Sequence, residues 1–264
     1  MIRHLLQLIW NQRKQNAWLW AELLLVSVFL WFLVDYLYVM GRTYTAPLGF
    51  DIRHTYSIVI SSLSERSPDY IPKEKRERPD GVHLLTALDR IRTYPGVESA
   101  CLTDGGMPYY MGSRNLVWRI DTLQVPCRYA FVTPEFFDVF RIYDKDGKTA
   151  SLKRAIEDNN SIVISADVET MNPGLSLLGQ KAYRGNVTDE IEETIRGISV
   201  PIRRHEYTKA EPNVYRALRL SRMEEGYYEG MIDAVRLCVR VRPDVDNADF
   251  PARFRKDMAE QLRL

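Results

Sequence analysis

The sequence has few of the residues from which catalytic and metal sites are usually built. It contains 3 cysteines and 4 histidines in 264 residues. The histidines lie far apart, at His4, His54, His83 and His205. No H-E-x-x-H, G-x-S-x-G or C-x-x-C motif occurs, and neither a P-loop nor a G-x-G-x-x-G turn is present. The sequence therefore predicts no enzyme active site, no metal and no cofactor of the kinds that these motifs encode.

The three cysteines, Cys101, Cys127 and Cys238, are too few and too scattered for a disulfide framework. Two interpretations remain open. One bridge among them can form outside the cytoplasm, or each is a small buried apolar residue on a strand.

Net charge of one sign is also absent. Only three basic and two acidic residues precede position 41, so 33 of the 36 basic and 33 of the 35 acidic residues follow it. The part after position 40 is neutral and has no basic field for nucleic acid, so we expect no nucleic-acid partner. Its length, about 220 residues, fits one domain or two closely packed subdomains.

One long apolar run is present, AWLWAELLLVSVFLWFLVDYLYVM at residues 17–40. At about 1.5 Å of rise per residue it forms a helix of roughly 36 Å, enough to cross a hydrocarbon core of about 30 Å. Trp18 and Trp20 lie near one end and Tyr36 and Tyr38 near the other, where aromatic rings favour a membrane interface. The run predicts a transmembrane helix over 17–40.

Two carboxylates, Glu22 and Asp35, interrupt this run. Acids inside a membrane are costly, so they are either packed against a partner or placed near an interface. Their separation turns through about 220° beyond three full turns, so they face different sides of the helix. Glu22 and Asp35 are thus candidate contacts to other membrane helices, and interfacial acids are the alternative.

Residues 1–16 have the pattern of a short amphipathic helix lying on membrane lipid. Arg3, Arg13 and Lys14 precede the span, whereas Arg42 is the only basic residue in the ten positions after it. The positive-inside rule places the N-terminus in the cytoplasm. The apolar segment is too long for a cleaved signal peptide. We therefore expect an uncleaved anchor that leaves residues 41–264 outside the cytoplasm, with residues 41–246 as the core domain.

The core domain alternates strand and helix patterns, which predicts a mixed α/β fold. Strands are predicted at residues 54–63, 97–103, 114–121, 125–133, 162–165, 194–204, 213–220 and 234–242, and helices at 81–94, 134–140 and 166–171. The last strand contains VRLCVRV, whose period-two alternation predicts one solvent-exposed face. Residues 247–264 predict a charged helix with Phe250, Phe254, Met258 and Leu262 on one side. The fold class is α+β, with one transmembrane helix before a mixed α/β domain of one unit or two closely packed subdomains.

Three segments resemble the periplasmic core of MacB-like and FtsX-like permeases. They are FVTPEFFDVFRI at 131–142, SIVISADVETM at 161–171 and LLGQK at 177–181. The resemblance implies a permease subunit of a mechanotransmission ABC transporter, with no catalytic residues of its own. It also implies that the membrane is a bacterial inner membrane and that residues 41–246 are a periplasmic core domain. The implied partners are a cytoplasmic ABC ATPase subunit and a second permease subunit, identical or different. In that family one subdomain contains the first and last segments of the core, and the other is inserted between them.

Two departures from the family pattern are visible. YDKDGKT at 143–149 replaces a Gly-Arg-aromatic signature, and its Asp144 and Asp146 do not complete an EF-hand, so we expect a turn. Three further membrane helices expected after the core are missing, which predicts that residues 247–264 lead toward an absent second span. The alternative function is a single-span anchored binding or sensor domain.

Overall fold

The structure is a computed structural model. It describes residues 17–59, 66–68, 70–72, 75–76, 78–110, 112, 114–185, 190–226 and 234–261, together with Arg3, Gln7, Trp10 and Lys14. Two units are distinguished: residues 1–47 with 206–208, and residues 48–205 with 209–264. The predicted amphipathic helix of residues 1–16 lies outside the described residues apart from those four positions, as do residues 60–63 of the first predicted strand and Leu262.

The first unit contains helix α1, Ala17–Thr45, which is five residues longer than the predicted 17–40 segment. None of its residues is buried. Its C-terminal turn is polar, and the Thr45 hydroxyl donates to the Gly41 carbonyl at 3.0 Å. Within the described part of the chain it is the one helix that is long and apolar enough to cross a membrane.

The second unit is built on a nine-stranded sheet with helices on its faces. Its elements, in chain order, are β1 Thr55–Ile58, α2 Asp80–Arg92, β2 Val97–Asp104, β3 Arg114–Ile120, β4 Leu123–Val132, α3 Phe136–Val139, α4 Ala150–Ala155, β5 Ser161–Ser165, α5 Asp167–Met171, β6 Lys181–Arg184, β7 Ile191–Ser199, β8 Asn213–Ala217, α6 Leu220–Glu224, β9 Val235–Val241 and α7 Phe250–Gln261. The predicted α+β class, an apolar N-terminal helix followed by a mixed α/β domain, is confirmed.

Six of the strands close into a ring. The sheet order is β1-β9-β2-β4-β3-β6-β7-β5-β8, and an additional parallel pairing joins β4 to β8. Each ring strand contributes at least one buried apolar residue to one shared cluster, because side chains of a closed sheet alternate between inside and outside. Trp118 and Ile195 belong to this cluster and are fully buried.

Strands β1, β9 and β2 extend the sheet beyond the ring. One face of this extension packs against α2 and α7 through an apolar cluster that includes Leu88, Leu237, Phe250 and Phe254. The other face packs against α3 and α4 through a cluster rich in aromatic residues. The first and last segments of the domain thus share one core and the ring strands another, while the aromatic cluster contains residues of both. The two subdomains implied by the resemblance stay a prediction.

Several predicted boundaries differ from the observed ones. The strand predicted at 194–204 ends at Ser199, before Pro201, and the helix predicted at 134–140 spans only Phe136–Val139. Strand β6 was not predicted separately, because four residues with exposed or half-buried neighbours give too short a pattern. The helix predicted at 247–264 is observed as α7, and its predicted apolar side is buried at Phe250, Phe254 and Met258.

Candidate functional site

The described residues contain no cluster of three or more histidine, cysteine, aspartate or glutamate side chains that could hold a metal ion. A cavity lined by Arg128, Asn213 and Tyr215, among others, has a volume of about 10 Å³. This volume is about that of one water molecule. The cavity is therefore too small for a small-molecule substrate.

The two predicted site residues, Glu22 and Asp35, lie on α1, and both are exposed. Thirteen residues of helix separate them by about 20 Å along the axis. The structure does not bring them together, which agrees with the expectation that they do not form one shared site.

The segment that follows α1 in the chain is tightly fixed within the second unit. We call residues 48–54 the connector. The Leu48 carbonyl accepts a hydrogen bond from the Arg203 amide at 3.0 Å, and the Asp51 amide donates to the Phe140 carbonyl at 2.8 Å. Gly49 has a φ of +83°, and a Cβ there would lie 2.1 Å from the Pro201 carbonyl oxygen. Only glycine fits this close backbone approach without a shift of the chain.

Arg240 of β9 holds the connector by hydrogen bonds to its backbone. Its guanidinium donates to the Val139 carbonyl at 2.6 Å, to the Arg53 carbonyl at 2.8 Å and to the Asp51 carbonyl. The side chain is buried, with the residue 4% exposed. Arginine suits this position because its planar fork presents several donors in fixed directions.

The charge of Arg240 has a cost, which the surrounding groups offset. Burial lowers the pKa of Arg240, and so does the nearby Arg141, whereas Asp51 and Glu98 favour the charged form. The pKa of Asp51 is itself lowered, mainly by its hydrogen bond from Arg53. Arginine is charged at neutral pH in proteins, and these two acids offset part of the cost of burying its charge.

A third set of contacts holds the connector where it leads into β1. His54 Nδ1 is 2.5 Å from Asp246 Oδ2, and the Tyr56 hydroxyl donates to the other oxygen of the same carboxylate. This hydrogen bond raises the pKa of Tyr56 to about 12. The same bond, followed by the one from His54, holds the pKa of Asp246 below its usual value. Asp246 lies in the loop between β9 and α7, so it joins the start of the domain to its end.

The segment FVTPEFFDVFRI, on which the family resemblance partly rests, supplies backbone acceptors to Arg240 and to the connector. Phe136, Phe137 and Phe140 are buried, and the rings of Phe136 and Phe140 pack in a tilted arrangement with their centroids 4.9 Å apart. The carbonyls of Val139 and Phe140 accept the hydrogen bonds from Arg240 and Asp51. The aromatic packing thus sets the position of the two carbonyls that hold the connector.

Sequence reasoning missed Arg240. The alternation in VRLCVRV predicted that one face of this strand is exposed to solvent. This prediction is wrong, because apolar clusters cover both faces of β9. Residues 237–241 are all buried. The sequence contained one usable signal, an arginine flanked by two valines near the end of a strand whose other residues are mostly apolar.

The predicted turn in YDKDGKT is observed. Asp144 Oδ1 accepts hydrogen bonds from the amides of Asp146 and Lys148, and its other oxygen accepts one from Ser151. These bonds hold the backbone of the turn before α4, and both carboxylate oxygens of Asp144 take part in them. The turn therefore has a structural role.

Comparisons with known proteins add the following. No protein-family model matches the sequence, and no curated protein matches it. One similar solved structure is a domain of a protein described as a permease from Porphyromonas gingivalis, with 19% identity and a TM-score of 0.47 over 68% of this chain and 69% of that chain. Another is the periplasmic region of MacB from Actinobacillus actinomycetemcomitans, with 11% identity and a TM-score of 0.47 over 84% of this chain and 88% of that chain. A third is the extracellular domain of the ABC-type transporter YknZ from Gram-positive bacteria, with 12% identity and a TM-score of 0.46 over 79% of this chain and 92% of that chain. The chain is thus similar in structure to a domain of a permease, to the periplasmic region of MacB and to the extracellular domain of an ABC-type transporter.

Proposed function

We propose that this chain belongs to a permease subunit of a MacB-like mechanotransmission ABC transporter. In this function α1 crosses the bacterial inner membrane, the N-terminus is cytoplasmic and the second unit is periplasmic. A cytoplasmic ABC ATPase subunit drives the motion, and the chain passes it to the periplasmic domain. The chain itself hydrolyses nothing, in keeping with the lack of a P-loop in its sequence.

The observation that carries this proposal is the fastening of the connector. A flexible tether between an anchor and a binding domain would be expected to have few fixed contacts. Here residues 48–54 are held by the Arg203 amide, by the Phe140 carbonyl and by two donor contacts of the buried Arg240, whose third contact is to the Val139 carbonyl. A displacement of the chain at Leu48 would therefore move the loop before β8, helix α3 and strand β9 together.

The partners follow from the same proposal. A transmission helix has to pack against other membrane helices, and α1 presents an apolar surface with no buried residue. A second permease subunit, identical or different, would cover part of this surface, and lipid the rest. Glu22 and Asp35 are the polar groups on α1 that such packing would satisfy.

The topology is tested by cysteine labelling in spheroplasts with a membrane-impermeant maleimide. Lys145→Cys lies in the exposed turn before α4, and Gln7→Cys lies on the N-terminal side of α1; both positions are exposed. The native cysteines are at most 2% exposed and give a silent background. We expect Lys145→Cys to react in intact spheroplasts and Gln7→Cys to react only after lysis. The opposite pattern would contradict the proposed function.

A further inference from the structure

Two of the three cysteines face each other across neighbouring strands. Cys101 of β2 and Cys238 of β9 are direct partners in the antiparallel register. Side chains of directly opposed residues lie on the same face of a sheet. Both cysteines accordingly belong to the cluster beneath α3 and α4, whereas their chain neighbours Leu102 and Leu237 belong to the cluster on the other face.

The surroundings of the pair are dry and contain a third sulfur. Cys101 and Cys238 are 0% and 1% exposed, and the structure holds them as free thiols. The Cys238 thiol lies 3.7 Å from the Met107 sulfur. Burial raises the pKa of Cys101 well above its usual value, and the adjacent Cys238 thiol raises it further.

Cys127 provides an internal comparison. It is also buried, at 2% exposure, but it lies on β4 opposite Leu116 of β3 and belongs to the cluster inside the ring. Burial raises its pKa to about 12. The register gives it no cysteine partner, so the three cysteines divide into one pair and one single thiol.

We propose that Cys101 and Cys238 are a cross-strand disulfide site that joins the first segment of the domain to its last. Opposed residues of antiparallel strands have Cα atoms about 4.5 or 5.5 Å apart, and both values lie in the range of about 4.4–6.8 Å that disulfides require. Rotation of the two side chains about χ1 is then the main change needed to bring the sulfur atoms together.

The bond forms by thiol–disulfide exchange while the chain folds. A disulfide-bearing oxidoreductase first makes a mixed disulfide with one cysteine and releases one of its own thiols. The thiolate of the second cysteine then attacks the protein sulfur of that mixed disulfide, so the Cys101–Cys238 bond forms and the oxidoreductase leaves with both of its sulfurs reduced. Two protein thiols are oxidised and one external disulfide is reduced. The inference rests on the proposed function, because that function places the domain in an oxidising compartment.

Burial of the pair then has a definite consequence. The finished bond is shielded from thiol reductants, which need access to a sulfur atom. Cys238 is two residues before Arg240 on the same strand. A bond at Cys238 therefore keeps β9 in register with β2 at the position where Arg240 holds the connector.

The test is a peptide map of the full chain taken from cells. Cells are quenched in acid to stop thiol exchange. The protein is then denatured in the presence of N-ethylmaleimide, which alkylates free thiols, and is digested with trypsin without reductant. The three cysteines fall in different tryptic peptides, residues 93–114, 120–128 and 237–240. We expect the first and last peptides to be linked, and to separate on reduction, while the peptide of Cys127 is alkylated. The Cys127→Ala variant should keep the link, and Cys238→Ala should lose it.

The possible results separate this inference from the proposed function. If all three cysteines are alkylated and Lys145→Cys labels from outside, the disulfide is overturned and the proposed function stands. If all three are alkylated and Lys145→Cys labels only after lysis, both are overturned. A link between Cys127 and either other cysteine would also overturn the assignment, because it contradicts the strand register.

Discussion

The Arg240 guanidinium donates to three backbone carbonyls, so its removal leaves these acceptors without their donors in a buried place. We expect Arg240→Met to lower the free energy of unfolding by about 2–4 kcal/mol, since the partners of a lost buried donor keep their desolvation cost. Arg240→Lys keeps the charge but not the planar fork and should give a smaller loss. The measurement is urea denaturation of the full chain in detergent.

Arg242 is the matched control for this substitution. It lies two positions further along the chain, its side chain is 55% exposed, and it pairs with Asp244 at 3.6 Å. Exposed ion pairs contribute little, so Arg242→Met should change the stability by no more than about 0.5 kcal/mol. Equal effects of the two substitutions would show that the connector is not held by Arg240.

Strand β1 and the loop after β9 are joined by ionisable groups, so their junction should depend on pH. The folded pKa of Asp246 is below its unfolded value, so its contribution is present above the ordinary aspartate pKa of about 4 and is lost as the pH falls through the folded pKa. The pKa of Tyr56 is raised to about 12, so its contribution is full below about pH 10 and is lost as the pH rises toward 12.

Tyr56→Phe removes the hydrogen bond that is the largest cause of both shifts. We expect a loss of about 1 kcal/mol at pH 7, with a weaker dependence of stability on pH below 4 and above 10. Tyr183→Phe is the control, because the Tyr183 hydroxyl bonds Glu192 at 3.1 Å on the exposed surface. Urea midpoints measured from pH 3 to pH 11 test this. If the Tyr56→Phe variant has an unchanged pH profile, the bond between Tyr56 and Asp246 does not cause the pH dependence of stability.

The elements that the sequence predicted well are those with a long local pattern. Helix α2 was predicted at 81–94 and spans Asp80–Arg92, and β2 was predicted at 97–103 and spans Val97–Asp104. Closure of the ring was not predictable, because it depends on the pairing of β4 with β8, and strand pairing over such a separation leaves no local trace. Arg240 was missed for the same reason, since the carbonyls that bind it come from distant segments.

In the transporter that we propose, Glu22 and Asp35 should contribute to the association of α1 with the partner subunits. Replacing both with Leu should leave membrane insertion intact and weaken co-purification of the ATPase or the second permease subunit. Polar contacts between membrane helices contribute about 0.6–1.7 kcal/mol each, which corresponds to a loss of roughly 3- to 18-fold in association per contact. The measurement is quantitative co-purification from detergent-solubilised membranes.

Ser27→Leu is a matched control on the same helix, because it also replaces a polar residue of α1 with leucine but removes no carboxylate. It should leave the co-purified amount unchanged. If the double substitution also leaves it unchanged, the two acids are interfacial, and the single-span anchored binding or sensor domain becomes the better interpretation.

The pairing of β2 with β9 also sets an order of events during synthesis. From Asp104, where β2 ends, the ribosome must add 130 residues before it reaches Val235, where β9 starts. At about 5–20 residues per second this takes roughly 7 to 26 s. During that time β2 has one unpaired edge and two apolar faces, which makes it a template for pairing with another chain. The nascent domain is therefore most exposed to aggregation before β9 is translated. A slow codon run within residues 105–234 would lengthen this risk more than the same run placed after β9.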